Sequence, residues 1–244
     1  MTPESRAGYR HFHEQLDTLK QRLLFMSERA EALVAASVEA LLTQDGALAE
    51  SVIAGDEEIN ALEIEIEHLA ISLLALQQPM ARDLRFLIST IKISSDLERV
   101  GDHAVNIAQS ALRLFGTSGA RSDIIPDPQL ETMADRARQM LSDGLDAFIR
   151  GDGTLGREVC KADDAVDALN GSIFRVLLTH MMEDPRKITP SIQLLLVSRN
   201  LERVADLATN IAEDAVFLAE GKQIKHHAEE REAPNPERPS LRVT

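Results

Sequence analysis

The sequence contains little that would support a disulfide framework, an aromatic core or a membrane span. One cysteine, Cys160, occurs in 244 residues, aromatic residues make up 3%, and tryptophan is absent. A lone cysteine excludes an intramolecular disulfide framework and is typical of a reducing compartment. Few aromatics argue against a β-sandwich and against stacking platforms for single-stranded nucleic acid. Residues 1–15 lack the apolar core of a signal peptide, and no apolar run is long enough to span a bilayer, so we expect a cytoplasmic protein.

The charge balance is strongly acidic. Lys and Arg number 26 against 40 Asp and Glu, which gives a net charge of −14. Such a surface repels nucleic-acid backbones, and the sequence offers no compensating basic patch, so we expect no nucleic-acid partner. The dominance of Ala, Leu, Glu, Asp and Arg is typical of a helical protein.

Apolar residues at alternating spacings of three and four predict three long amphipathic helices in the first half of the chain. Their apolar stripes cover residues 16–41, 48–76 and 90–114. Asp45-Gly46 ends the first helix, and the second stops before Pro79. Short connectors make an antiparallel three-helix bundle the simplest way to bury the three stripes.

The second half repeats the first. A shift of 107 positions aligns the first two helices with later ones, and a shift of 104 aligns the third. In the latter register, residues 97–108 match residues 201–212 at nine of twelve positions, including polar ones, which indicates an internal duplication. We therefore predict an all-α fold, a tandem duplication of two antiparallel three-helix bundles at residues 11–119 and 126–221. Residues 222–244, which hold three prolines within six residues and no apolar face, are predicted to form a disordered tail.

Pairs of oxygen-bearing side chains four residues apart are the strongest candidates for a site. This spacing brings both side chains to one face of a helix, and the pairs fall on helices expected to face each other in each half. Without cysteine, such clusters suit iron in its ferric form, manganese, magnesium or calcium, with zinc less favoured. The alternative is an ion-pair network with Arg82, Arg99, Arg186 and Arg203. The candidate metal ligands are Asp56, Asn60, Glu98, Asp102, Asp163, Asp167, Glu202 and Asp206.

Catalysis has little support in the sequence. Di-iron enzymes in four-helix bundles need Glu-x-x-His on two helices, and only Glu65 with His68 matches. No nucleophile elbow, phosphate loop or zinc-protease motif is present. His103 follows Asp102 but has Leu207 as its counterpart, which favours a surface or packing role. We expect a protein that is not an enzyme.

Several motifs together resemble the PhoU family, regulators associated with the bacterial phosphate-specific transporter. They are residues 97–102 and their repeat at 201–206, residues 55–60, the connector 76–79 with 83–85, and residues 181–186. The resemblance implies a pair of three-helix bundles with pseudo-twofold symmetry and acid-x-x-x-Asp motifs that bind multinuclear clusters of iron or of zinc, manganese or magnesium. The pair of Asp56 and Asn60 departs from that motif, which predicts weaker metal binding at the first cluster.

The resemblance also implies a role in regulation. It predicts a negative regulator of phosphate uptake and of the phosphate-starvation response, acting as an adaptor between the transporter ATPase subunit and the phosphate-sensing histidine kinase. The protein would be a homodimer that reaches the membrane only through these partners. The alternatives are a metal-binding helical scaffold, or a regulator of another transporter with no phosphate role.

Overall fold

The computed structural model describes residues 3–77, 79–115, 128–222 and 224, in which all regular structure is helical. The predicted tail, apart from Lys222 and Ile224, and the connector at 116–127 lie outside the described residues. A short 3₁₀ helix, Pro185–Lys187, separates the last two α-helices. The six α-helices are α1 (Pro3–Thr43), α2 (Gly46–Gln77), α3 (Ala81–Phe115), α4 (Gln129–Arg150), α5 (Gly153–Glu183) and α6 (Ile188–Glu220).

Helices α1 and α2 end where the sequence predicts, before Asp45-Gly46 and before Pro79, whereas α1 and α3 begin well before their predicted apolar stripes. Polar side chains cap the starts of α2 and α5. The Asp45 carboxylate accepts a hydrogen bond from the Leu48 amide at the start of α2. Asp152, the equivalent residue, accepts from the Thr154 and Leu155 amides at the start of α5. These side chains satisfy amide groups that have no partner within the helix.

Each half is a three-helix bundle, and the two bundles pack directly on each other. Helices α1, α2 and α3 contact one another, as do α4, α5 and α6. Between the halves, α3 packs on α6 and α1 packs on α4, which leaves α2 and α5 on the outer flanks. The predicted duplication of three-helix bundles is therefore confirmed.

Helices α3 and α6 run antiparallel across the junction between the halves. Lys92 Nζ lies 3.8 Å from Asp214 Oδ1, while His103 Nδ1 lies 2.9 Å from Asn200 Oδ1. As the numbering rises along α3, it falls along α6. This arrangement relates the two bundles by a pseudo-twofold axis.

One continuous apolar core extends through both halves. The Phe86 ring of α3 stacks on the Phe148 ring of α4, with centroids 5.1 Å apart and planes 11° apart. Phe148 is completely buried.

Among the helices that the structure describes, none has an apolar stretch of the length that a membrane span requires.

Candidate functional site

The first oxygen-rich cluster lies between α2 and α3. Asn60 Nδ2 donates a hydrogen bond to Asp56 Oδ2 at 3.1 Å. The other carboxylate oxygen of Asp56 faces Gly101, where a Cβ atom would lie only 2.7 Å from it. The missing side chain at Gly101 thus lets the Asp56 carboxylate rest against α3.

The side chains that shift the pKa values of Asp56 and Glu98 show which residues of this cluster are neighbours. Burial raises the pKa of Asp56, and the charge of Asp102 adds to the rise, while the hydrogen bond from Asn60 opposes it. Burial likewise raises the pKa of Glu98, followed by the charges of Asp102, Glu63 and Asp56. The four predicted residues are therefore brought together, and Glu63 joins them.

The second cluster lies between α5 and α6. Burial, followed by the charges of Asp167, Asp206, Asp164 and Glu202, raises the pKa of Asp163 from 3.8 to about 6. All four predicted residues of this half therefore interact. Burial is the first cause of the raised pKa in both Asp56 and Asp163. In the second cluster the charge of Asp167 adds to it, whereas the equivalent Asn60 lowers the pKa of Asp56 by donating a hydrogen bond.

Several oxygen atoms in the clusters have chemistry suited to a cation. The Oδ1 atoms of Asp56, Asn60 and Asp163 are buried and accept no hydrogen bond from any described residue. A buried oxygen without a donor is energetically costly, and a bound cation would relieve both this cost and the repulsion between carboxylates. The donor set fits hard cations such as ferric iron, manganese or magnesium.

The clusters are not preassembled coordination shells. Across residues 3–77, 79–115, 128–222 and 224, no three His, Cys, Asp or Glu side chains converge as the ligands of one ion. The carboxylates interact through their charges but stay apart, as expected for like charges without a counterion. Side-chain rotation would be needed to complete a shell.

The alternative of an arginine ion-pair network applies to one of the four arginines. Arg203 Nη1 lies 2.7 Å from Asp206 Oδ2, and its Nε lies 3.8 Å from Glu202 Oε2. Arg99 pairs with Asp96, and its charge also acts to lower the pKa of Glu98 in the first cluster. Arg186 lies on Asp184 and Arg82 lies beside Gly151, both away from the clusters.

Two acids of the clusters were missed in the sequence. Glu63 lies seven residues after Asp56, two helical turns along the same face, and a step of three residues from Asn60 would have identified it. Asp164 is adjacent to Asp163 in sequence, and periodicity gives no signal for its electrostatic contribution.

Cys160 lies one helical turn before Asp163 and is half-buried. Burial raises the pKa of its thiol to about 11, and the charges of Glu213 and Asp163 contribute to the rise. The thiol is therefore protonated at neutral pH, which makes it a poor metal ligand and nucleophile.

Comparison with known proteins identifies relatives over most of the chain. The profile of the PhoU domain matches residues 23–111 and again 130–215. A Clostridium acetobutylicum protein described as a phosphate-specific transport system accessory protein PhoU homolog is 41% identical over 87% of this chain and 96% of its own. A Rhizobium meliloti protein of the same description is 41% identical over 87% of this chain and 88% of its own.

Solved structures agree with this assignment. The crystal structure of PhoU from Pseudomonas aeruginosa is similar with a TM-score of 0.81 and 36% identity, covering 86% of this chain and 100% of that one. The phosphate transport system regulatory protein PhoU from Streptococcus pneumoniae gives a TM-score of 0.79 and 31% identity, covering 87% of this chain and 98% of that one. The duplicated bundle, its two matching domains and these relatives together show that the chain belongs to the PhoU family.

Proposed function

We propose that this protein is a negative regulator of phosphate uptake and of the phosphate-starvation response. It acts as an adaptor between the ATPase subunit of a phosphate ABC transporter and a phosphate-sensing histidine kinase, at the cytoplasmic side of the membrane. The observation that carries the proposal is that this chain contains two PhoU domains and that its relatives are named phosphate-specific transport system accessory proteins.

The architecture supports an adaptor. Two similar bundles are joined through one continuous core, so the molecule offers two related surfaces on one rigid body. Binding of one partner to each half would hold transporter and kinase in a fixed geometry. No catalytic step is required of the chain, and a homodimer would double the number of binding surfaces.

Metal binding is the second part of the proposal. The first cluster would hold ions through Asp56, Asn60, Glu98 and Asp102, with Glu63 nearby. Iron is the first candidate, manganese and magnesium follow, and zinc is the least favoured. The second cluster would use Asp163, Asp167, Glu202 and Asp206. A bound cation would neutralise the carboxylates and draw the two helices of each pair together. The buried oxygens without hydrogen-bond donors support this assignment.

The adaptor is tested by co-purification. The tagged full chain should retain both the ATPase subunit and the kinase at high phosphate, and deletion of its gene should derepress a phosphate-starvation reporter. If neither partner is retained at any phosphate concentration, the adaptor proposal is wrong. Retention of a different transporter would instead favour a regulator with no phosphate role.

The metal sites are tested by elemental analysis of protein purified without chelator. The Glu202→Ala, Asp206→Ala double variant should lose at least half of the bound metal, because the first cluster is predicted to bind more weakly, and adding Glu98→Ala and Asp102→Ala should remove the remainder. Substitution of Glu57 and Glu58, exposed acids on α2 next to the first cluster, provides the control. Equal metal content in all variants would eliminate these residues as ligands.

A further inference from the structure

An open groove lies between α5 and α6, about one helical turn from the second oxygen-rich cluster, since Asn170 and Arg199 line it and lie three residues from Asp167 and Glu202. Its volume is about 590 Å³. Phe174, Ile192 and Leu196 line it and are 51%, 44% and 38% exposed. Exposed apolar side chains that gather in a concave surface are typical of a binding site.

The first half of the chain provides an internal reference for this groove. At the positions equivalent to Phe174 and Leu196, helices α2 and α3 carry Glu67 and Lys92, both exposed. The position of Ile192 is apolar and exposed in both halves, since its counterpart is Ile88. The duplicated fold therefore does not require apolar residues at positions 174 and 196, and these two side chains distinguish the groove from the first half.

A glycine opens the groove. Gly171 replaces Ile64 of the first half, and a Cβ atom at Gly171 would meet only Arg175 Nη1, at 3.6 Å. No neighbouring backbone requires a glycine at this point of α5. A glycine inside a helix reduces stability by about 1 kcal/mol relative to alanine, and here it leaves space between the helices.

The rim of the groove is basic in an acidic protein. Arg175 and Arg199 line it where the first half has His68 and Ser95. Residues 168–182 of α5 and 188–201 of α6 contain no Asp or Glu, although the chain has 40. Neither guanidinium forms an ion pair with another residue in the described part of the chain. The walls therefore present local positive charge on a molecule of net charge −14.

We propose that this groove binds an amphipathic helix of a partner protein, one whose apolar face is flanked by Asp or Glu. Apolar anchors of the helix would pack on Phe174 and Leu196, and its carboxylates would pair with Arg175 and Arg199. An anionic bilayer fits less well, because its extended negative surface would be repelled by the net charge of the protein. The inference rests on the adaptor function and names the surface and chemistry of one partner contact.

A pair of synthetic peptides tests the inference. Each has about 18 residues, five helical turns, with leucine on one face. One peptide carries Glu on the flanks and the other carries Lys. The net charge of the protein alone would favour the Lys peptide, so tighter binding of the Glu peptide can come only from a local basic surface.

We expect fluorescence anisotropy with the full chain to show the Glu peptide binding at least about ten-fold more tightly than the Lys peptide, a difference of one decade in Kd. The Arg175→Glu, Arg199→Glu variant should reverse that preference, and Phe174→Ser should weaken binding of the Glu peptide. The matched control, His68→Glu with Ser95→Glu in the first half, should leave the Glu-peptide affinity unchanged. Circular dichroism verifies that every variant is folded.

Three results would overturn the inference. The first is that the arginine variant binds the Glu peptide as the wild type does. The second is that the protein sediments with phosphatidylglycerol vesicles in an arginine-dependent way but binds no peptide. The third is arginine-dependent self-association, which would assign the groove to a second copy of the chain.

The adaptor proposal is tested separately from the groove. If the ATPase and the kinase co-purify with the arginine variant as they do with the wild type, the groove is not their contact, but the adaptor proposal stands. If the peptide binds the groove and neither partner co-purifies with the protein, only the adaptor proposal is contradicted.

Discussion

The surroundings of Asp163 disfavour the ionised form of its carboxyl group. Its pKa is about 6 in the folded protein and 3.8 ordinarily, so the folded state binds the proton more tightly than the unfolded state. Stability therefore falls as pH rises through the window from about 4 to about 6, and the ionised group destabilises the fold above it. Partial exposure reduces this effect through solvent screening.

The neutral substitution Asp163→Asn should stabilise the metal-free protein at pH 7.5 by about 1 kcal/mol after allowance for that screening. The gain should shrink at pH 4.5, where Asp163 itself is protonated in the folded state. Urea unfolding at both pH values, with chelator present, measures the difference. Glu158→Gln, at an exposed acid of α5 outside the cluster, serves as control, and a loss of stability in Asp163→Asn at pH 7.5 would contradict the repulsion described here.

Gly101 provides a second residue-level prediction. A methyl group there would displace the Asp56 carboxylate, which is the end of a side chain and can rotate away. We expect Gly101→Ala to change the free energy of unfolding by less than about 1 kcal/mol, because better helix propensity offsets the contact, yet to weaken cation binding at the first cluster. Titration with Mn²⁺ followed by electron paramagnetic resonance would show this. Ala205→Gly, the reverse substitution at the equivalent position of the second half, provides the comparison. Full Mn²⁺ affinity in Gly101→Ala would show that the position of Asp56 is unimportant.

At the scale of the element, two glycines of α5 stand in opposite environments. A Cβ atom at Gly156 would lie 2.8 Å from the Ala212 carbonyl oxygen of α6, whereas one at Gly171 would meet no backbone atom of another element. The first contact is with rigid backbone, so α5 and α6 would have to separate.

We therefore expect Gly156→Ala to destabilise the protein by about 1–3 kcal/mol despite the better helix propensity of alanine. Gly171→Ala in the same helix should stabilise it by up to about 1 kcal/mol. Thermal and urea unfolding of the two variants provide the comparison. Equal effects of both substitutions would mean that α5 and α6 are not in close contact at Gly156.

The helices and their duplication could be predicted from the sequence because both depend on local spacing and direct identity. The apolar stripes fix which face is buried, and the shared Glu, Arg, Asp and Asn identify the repeat. The grouping of Asp56 with Glu98 and Asp102 followed from the same spacing on two facing helices. That Arg203, and not Arg99, forms an ion pair with the cluster acids depends on rotamers, and the contact of Asp56 with Gly101 depends on the distance between helices. Periodicity encodes neither.

At the scale of the whole molecule, the two halves share one core and should unfold together. Phe148 of the second half is fully buried and stacked on Phe86 of the first, so Phe148→Ala should cost about 3–5 kcal/mol. We expect calorimetry to show a single transition that moves to lower temperature as a unit, while Phe174→Ala, an exposed phenylalanine, leaves it nearly in place. Two separated transitions would show that the halves are independent.

The high pKa of Cys160 has a practical consequence for spectroscopy. At pH 7.5 only about one thiol in several thousand is ionised, so maleimide dyes should react slowly with it. A cysteine introduced at an exposed position of either bundle can then be labelled selectively without removing the native one. Two fluorophores attached in this way to the purified protein, one on each bundle, would report the distance between the flanks of the protein, with the wild-type sequence otherwise intact.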